Sequence, residues 1–67
     1  MTNSLRKKRE EQGITQDGLG RAVGVSRQTI ISLESGRYNP SLALAYRLAR
    51  YFSCPIEEIF HDEEAKA

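Results

Sequence analysis

The sequence predicts an all-α domain, and three observations carry that prediction. Between Thr15 and Gly36 the run TQDGLGRAVGVSRQTIISLESG reads as two short helices pinned around Gly24. From Ser41 onward apolar residues recur at helical spacing. Pro55 then stands at a first helical position, where its missing N–H does no harm, and opens a short last helix. With one helix ahead of the central pair, five helices are expected in a single compact domain over residues 1–67.

Each element follows from local chemistry. The first helix runs about Ser4–Gln12, capped by Asn3 or Thr2 and ended by Gly13. Leu5 is its main apolar residue, so the aliphatic stems of Arg6 and Arg9 are expected to lie over the core. The second helix, Gln16–Val23, is capped by Thr15, whose hydroxyl can satisfy an orphaned amide. Leu19 and Val23 fall four apart on one face of it. Gly24 follows where a helix ends in a left-handed residue, and Val25 plugs the turn. Ser26 caps the third helix, Arg27–Ser35, from which Ile30 and Leu33 face inward before Gly36 closes it. Gly18 and Gly20 each cost the second helix roughly 1 kcal/mol relative to Ala. Gly20 falls where the two helices cross closely and a large side chain would hold them apart. After the loop Arg37–Pro40, Ser41 begins a fourth helix reaching about Tyr51. Ala45, Leu48, Ala49 and Phe52, with either Leu42 or Leu44, give its inward stripe. The fifth helix is Pro55–Phe60.

Composition narrows the class of function. Hydrophobic content is 39%, in the ordinary globular range, and no long uncharged apolar run offers a membrane span. No secretion-type N-terminal pattern is present, and the lone Cys54 suits a reducing cytosol. The net charge of +1 conceals an asymmetry. Residues 1–50 hold nine Lys/Arg against four Asp/Glu, while residues 51–67 hold one Lys against five acids. A basic body with an acidic end suits a domain that touches phosphates on one side, although chance clustering in a short chain gives the same pattern. Neither a phosphate-cradling glycine loop nor a nucleophile–base pair is present. His61, the one histidine, has no second ligand at metal spacing. No metal, cofactor or small-molecule ligand is therefore expected.

Two helices crossing steeply, the second with a polar leading edge, form the arrangement that puts a helix end into the major groove of DNA. Counted from Gln16, the fourth, eighth, tenth, fifteenth and eighteenth places are apolar and the fifth is glycine. This motif, about residues 16–35, resembles the helix-turn-helix of the Cro/cI-type phage repressors and their bacterial relatives, the xenobiotic-response-element family. The short members made of the DNA-binding domain alone are the most similar. The likeness extends to Leu5–Arg9 and to YNPSLALAYRLARYFSCPIEEIF, about nine tenths of the chain. Gly18 and Gly20 depart from it, replacing a usual helix former and the usual alanine. The resemblance implies a compact five-helix lambda-repressor-like domain. The polar tail 61–67 is open to two states: disorder, or pairing of the two chain ends as small strands, as in some short relatives.

The recognition helix 27–35 is expected to lead with Arg27 and Gln28, which can read guanine and adenine edges respectively. Ser32 lies one turn deeper. Ile31 either meets a thymine methyl or packs against the flanking helix. By resemblance Gln16 clamps a backbone phosphate, and Ser26, Arg37, Tyr38 and Asn39 grip the same strand again. The alternatives are that Asn39 only stabilises the turn before Pro40 and that Tyr38 only packs on its loop. Arg21, exposed on the second helix, reads as a solvated charge. Arg6, Lys7 and Lys8 reach the backbone or form a solvated face. Also by resemblance, Arg9 and Glu34 form a partly buried ion pair between the first and third helices.

One such domain reads few bases, so a homodimer on palindromic double-stranded DNA is expected, with recognition helices one turn apart, about 34 Å. Tyr51, Ile56, Ile59 and Phe60 exceed what a small core needs and are candidates for the dimer contact; the alternative is that they complete the core beneath the fourth helix. The leading expectation is a cytoplasmic, nucleoid-associated, sequence-specific transcriptional regulator, and more a repressor than an activator. The competing one is a protein-interaction module such as an antitoxin or adaptor. The seven residues that follow Phe60 are short for wrapping a partner.

Overall fold

Four α-helices carry the fold in a computed structural model that describes residues 2–61: α1 (Leu5–Glu11), α2 (Gln16–Val23), α3 (Arg27–Glu34) and α4 (Leu42–Phe52). A single 3₁₀ turn, Ile56–Glu58, follows α4. Two short strands, β1 (Thr2–Asn3) and β2 (Phe60–His61), pair antiparallel with Thr2 opposite His61 and Asn3 opposite Phe60.

Three of the four helices start by the same device. The hydroxyls of Thr15, Ser26 and Ser41 accept from the amides of Gly18, Thr29 and Leu44, each three residues on. α1 differs. Ser4 occupies its cap without a side-chain bond, and Asn3 Oδ1 instead accepts from the Leu5 amide at 3.1 Å. The Asn3 amide group also donates to the Leu33 carbonyl at 2.7 Å, tying the chain start to the end of α3.

The core draws on all four helices and on Ile59, which follows the 3₁₀ turn. Leu5, Leu19, Ile30, Leu33, Leu48 and Ile59 are fully buried, with Val23, Leu44 and Phe52 beside them. Val25 is half-buried against this cluster rather than enclosed in it. Of the two leucines competing for the inward stripe of α4, Leu44 is 3% exposed and Leu42 is 68% exposed. The Arg9 side chain is covered, but Arg6 is not over the core: it pairs with Glu10 on the exposed side of α1.

The expected fifth helix is not formed, so the described residues hold four α-helices and a two-stranded sheet instead of five helices. The segment is too short to repay helix nucleation once its far end is used elsewhere. Glu58 N–H donates to Pro55 O at 3.0 Å and Ile59 N–H to Ile56 O at 2.9 Å, closing one 3₁₀ turn. Ser4 N–H then captures the Ile59 carbonyl at 2.7 Å, and the strand pairing follows. Within the tail expected at 61–67, His61 is held in β2, and 62–67 lie outside the described residues.

Gly20 sets the distance between α2 and α3. Both the Gly24 and Val25 amides donate to its carbonyl, so the turn folds back directly upon it. A Cβ at Gly20 would stand 2.6 Å from the Val25 carbonyl oxygen, a backbone atom that cannot step aside. Gly24 itself has φ 81°, the left-handed region that suits glycine.

Gly20→Ala should therefore destabilise the domain by about 1–3 kcal/mol through overpacking, although propensity alone predicts a gain of about 1 kcal/mol. Urea unfolding distinguishes the two signs, and a stabilised variant would refute the close-crossing account. A second prediction concerns Arg9 and Glu34, whose side chains are 12% and 6% exposed and meet at 2.6 Å. Arg9→Ala should cost about 3–5 kcal/mol by stranding a buried carboxylate, while Arg9→Met combined with Glu34→Leu should recover most of the loss. The same unfolding measurement tests this; a double variant as unstable as the single one would contradict it.

Candidate nucleic-acid interface

The outer face of α3 forms a ridge between two hollows. Arg27 and Gln28 are exposed at its start, and Ile31 and Ser32 are half-buried one turn on. On one side Ser26, Gln28, Thr29 and Ser32 line a shallow recess whose far wall is Tyr38. On the other, Ile31 and Ser35 face Gln16 across a cleft that Arg6, Arg9 and Glu34 complete. The motif thus brings together side chains that are far apart in sequence.

The recess is braced locally. Ser26 Oγ accepts from the Thr29 amide at 3.1 Å and lies 3.0 Å from Thr29 Oγ1. The Arg37 amide donates to the Ser32 carbonyl at 3.2 Å, which docks the loop after α3 and holds Tyr38 beside the ridge. Arg37, Tyr38 and Asn39 are all exposed. Asn39 borders a separate apolar groove with Pro40, Leu42, Ala45, Ile56 and Phe60.

The cleft is braced by charge. Arg9 Nε donates to Glu34 Oε2 at 2.6 Å, and Arg9 Nη1 donates to the Ile14 carbonyl at 2.9 Å. The hydrogen bond to Glu34 raises the Arg9 pKa above its ordinary value, against the opposing effect of burial. Gln16 Nε2 donates to Glu34 Oε1 at 3.1 Å. One carboxylate therefore joins α1, the start of α2 and the end of α3. Asp17, the other acid near this surface, is matched by Arg21 at 3.1 Å, with both side chains largely in solvent. Both acids beside the exposed arginines are thus paired with a cation, and no uncompensated carboxylate faces outward from α2 or α3.

Ile31 is half-buried against the cleft formed with α1, and its remaining surface is open to the outside. Lys8 is engaged with Glu58 at 3.3 Å, and this hydrogen bond raises its pKa. Ile59 is fully buried in the core of the domain, so its side chain has no surface to give a dimer contact; this corrects its assignment to that contact. Tyr51 packs edge-on to Phe52 with ring centres 5.0 Å apart, while Ile56 and Phe60 are half-buried and border the apolar groove. His61 does not hang in a tail, since its Nε2 lies 2.8 Å from Ser4 Oγ. Among the described residues no group of three or more potential ligands could hold a metal ion, and no helix is long and apolar enough to cross a membrane.

Sequence reasoning missed three features. Thr29 joins the recess, and its only sequence signal is its place one turn after the Ser26 cap. Leu42 and Tyr46, at 68% and 52% exposure, put an apolar patch on the outer side of α4 beside the exposed Arg47 and Arg50. The Gln16–Glu34 bond links residues eighteen apart without any periodic signal.

The helix-turn-helix family model matches residues 5–59. An HTH-type transcriptional regulator of Archaeoglobus fulgidus is 52% identical over 66 residues, covering 96% of this chain and 94% of its own. A second, from Methanocaldococcus jannaschii, is 47% identical over 64 residues, covering 96% and 97%. Among solved structures, the P22 c2 repressor in complex with a synthetic operator superposes with a TM-score of 0.76 at 28% identity, covering 79% of this chain and 80% of that one. These relatives are transcriptional regulators, not enzymes. The chain belongs to the Cro/cI-type helix-turn-helix family of transcriptional regulators.

Proposed function

We propose that this protein is a sequence-specific repressor that binds a palindromic operator as a homodimer, with the start of α3 in the major groove. The observation that carries the reading is the exposed leading edge of α3, where Arg27 and Gln28 project beside acids already neutralised by pairing. Arg27 reads a guanine through two donated hydrogen bonds, and Gln28 reads an adenine through one donated and one accepted. Ser32 and the free surface of Ile31 address the next base pair, the latter through a thymine methyl. Gln16 holds a backbone phosphate at the start of α2, where helix amides lack internal partners. Ser26, Arg37, Tyr38 and Asn39 hold the strand on the other side of the ridge. Repression by occlusion fits the P22 c2 likeness, and the nucleoid of the cytoplasm is the matching location.

The dimer contact of this reading differs from the one the sequence suggested. Leu42 and Tyr46 project from α4 beside the grooves that meet at Ile56, with Phe60 at one end. Tyr51 is half a turn away around α4 from Leu42 at 100° per residue. A two-fold contact through Leu42, Tyr46, Ile56 and Phe60 covers this apolar surface and leaves α3 free.

Three outcomes are expected. Arg27→Ala with Gln28→Ala should weaken specific binding by about 10²–10³-fold while the unfolding midpoint stays within error; gel-shift titration against a selected operator measures it, and unchanged affinity would sink the base-reading assignment. Arg37→Ala should weaken binding to all sequences alike and lower the slope of log affinity against log salt by about 1. Leu42→Glu with Tyr46→Glu should convert dimer to monomer in sedimentation equilibrium without unfolding the protomer. A variant that remains dimeric would place the contact elsewhere.

A further inference from the structure

We infer that Glu34 is a positioning residue for the phosphate contact of Gln16, a role separate from its ion pair with Arg9. The inference rests on the proposed DNA contact of Gln16 and deepens it. Arg9 holds both carboxylate oxygens of Glu34, Oε2 through Nε at 2.6 Å and Oε1 more loosely through Nη2 at 3.4 Å, and Oε1 also accepts from Gln16 Nε2 at 3.1 Å. The carboxylate is 6% exposed and clamped by a charged partner, so it is a fixed point on which a flexible side chain can be set.

The chemistry fixes the orientation of the amide. An ionised carboxylate only accepts, so Gln16 must turn its NH₂ toward Glu34. One N–H is then used, and the second N–H remains free for another acceptor. A phosphate oxygen is also an acceptor and needs that second N–H. A free glutamine at the surface would spend part of its time with its carbonyl turned outward, where it can make no hydrogen bond to a phosphate oxygen. Glu34 removes that alternative before DNA arrives, and lowers the side-chain ordering lost on binding.

The test uses the intact protein and a selected operator duplex. In the free protein the Gln16 side-chain amide should give a ¹⁵N heteronuclear NOE close to backbone values, while those of exposed Gln12 and Gln28 are averaged. An averaged Gln16 signal overturns the inference without any variant. In binding, Gln16→Ala should weaken affinity about tenfold and Glu34→Gln about threefold. Glu34→Gln should add nothing in the Gln16→Ala background, because its effect passes through Gln16. An equal loss from Glu34→Gln in both backgrounds overturns the positioning role. If Gln16→Ala leaves affinity unchanged while the wild-type amide is rigid, the phosphate contact itself falls and the inference with it.

Discussion

An acidic side chain near a surface meant for a polyanion is a liability unless something holds it down. Glu34 is held by Arg9, in a pair almost removed from water. Burying both charges carries a desolvation penalty that only close geometry and further hydrogen bonds can offset. Both are present: the Ile14 carbonyl accepts from Arg9 Nη1, and Gln16 donates to Glu34 Oε1, which Arg9 Nη2 also reaches. The group therefore fastens the first helix to the turn before the second and to the end of the third. The thin apolar content of α1, with Leu5 as its one buried residue, makes this polar attachment the more necessary.

The remaining architecture adapts a short chain to a single small core. Below about 70–80 residues one core supplies little margin, so each buried side chain matters. Closing the chain ends helps. Strand pairing between Thr2–Asn3 and Phe60–His61, the Lys8–Glu58 contact and the Ser4–His61 bond bring α1 and the 3₁₀ turn together over Ile59. Tight closure also governs the crossing of α2 on α3, where Gly20 brings the backbone of the turn nearer than any side chain permits. The two Gly departures from the family pattern thus differ in meaning. A Cβ at Gly18 would meet side-chain atoms of Ile14 and Thr15 at 3.1 Å, whereas one at Gly20 would meet backbone.

What was legible in the sequence was local. Thr15, Ser26 and Ser41 announce helix starts because their partners lie three residues away, and Gly13, Gly24 and Gly36 mark left-handed turns by the same short-range logic. The inward faces of α2 and α3 followed from spacing alone. What escaped depended on distant parts of the chain. Two-residue strands have no periodicity to read, and their partners sit at opposite ends of the sequence. Leu42 and Leu44 both fit helical spacing with the α4 stripe; packing against the other helices chose between them. Ser53 adopts a left-handed conformation at φ 55° where composition offered no glycine to mark it. The exposed end of α3 was readable by the same local rules, but the wall that Tyr38 builds beside it and the grip of Glu34 on Gln16 arise only on folding.

The central claim is that one exposed helix end, presented twice by a symmetric pair, reads DNA. Selection of binding sites from randomised duplex DNA by the purified protein at near-physiological salt tests it most directly. The account predicts enrichment of a palindrome whose half-site centres lie about one helical turn, or 34 Å, apart. Weak, salt-sensitive binding with no enriched sequence would contradict it.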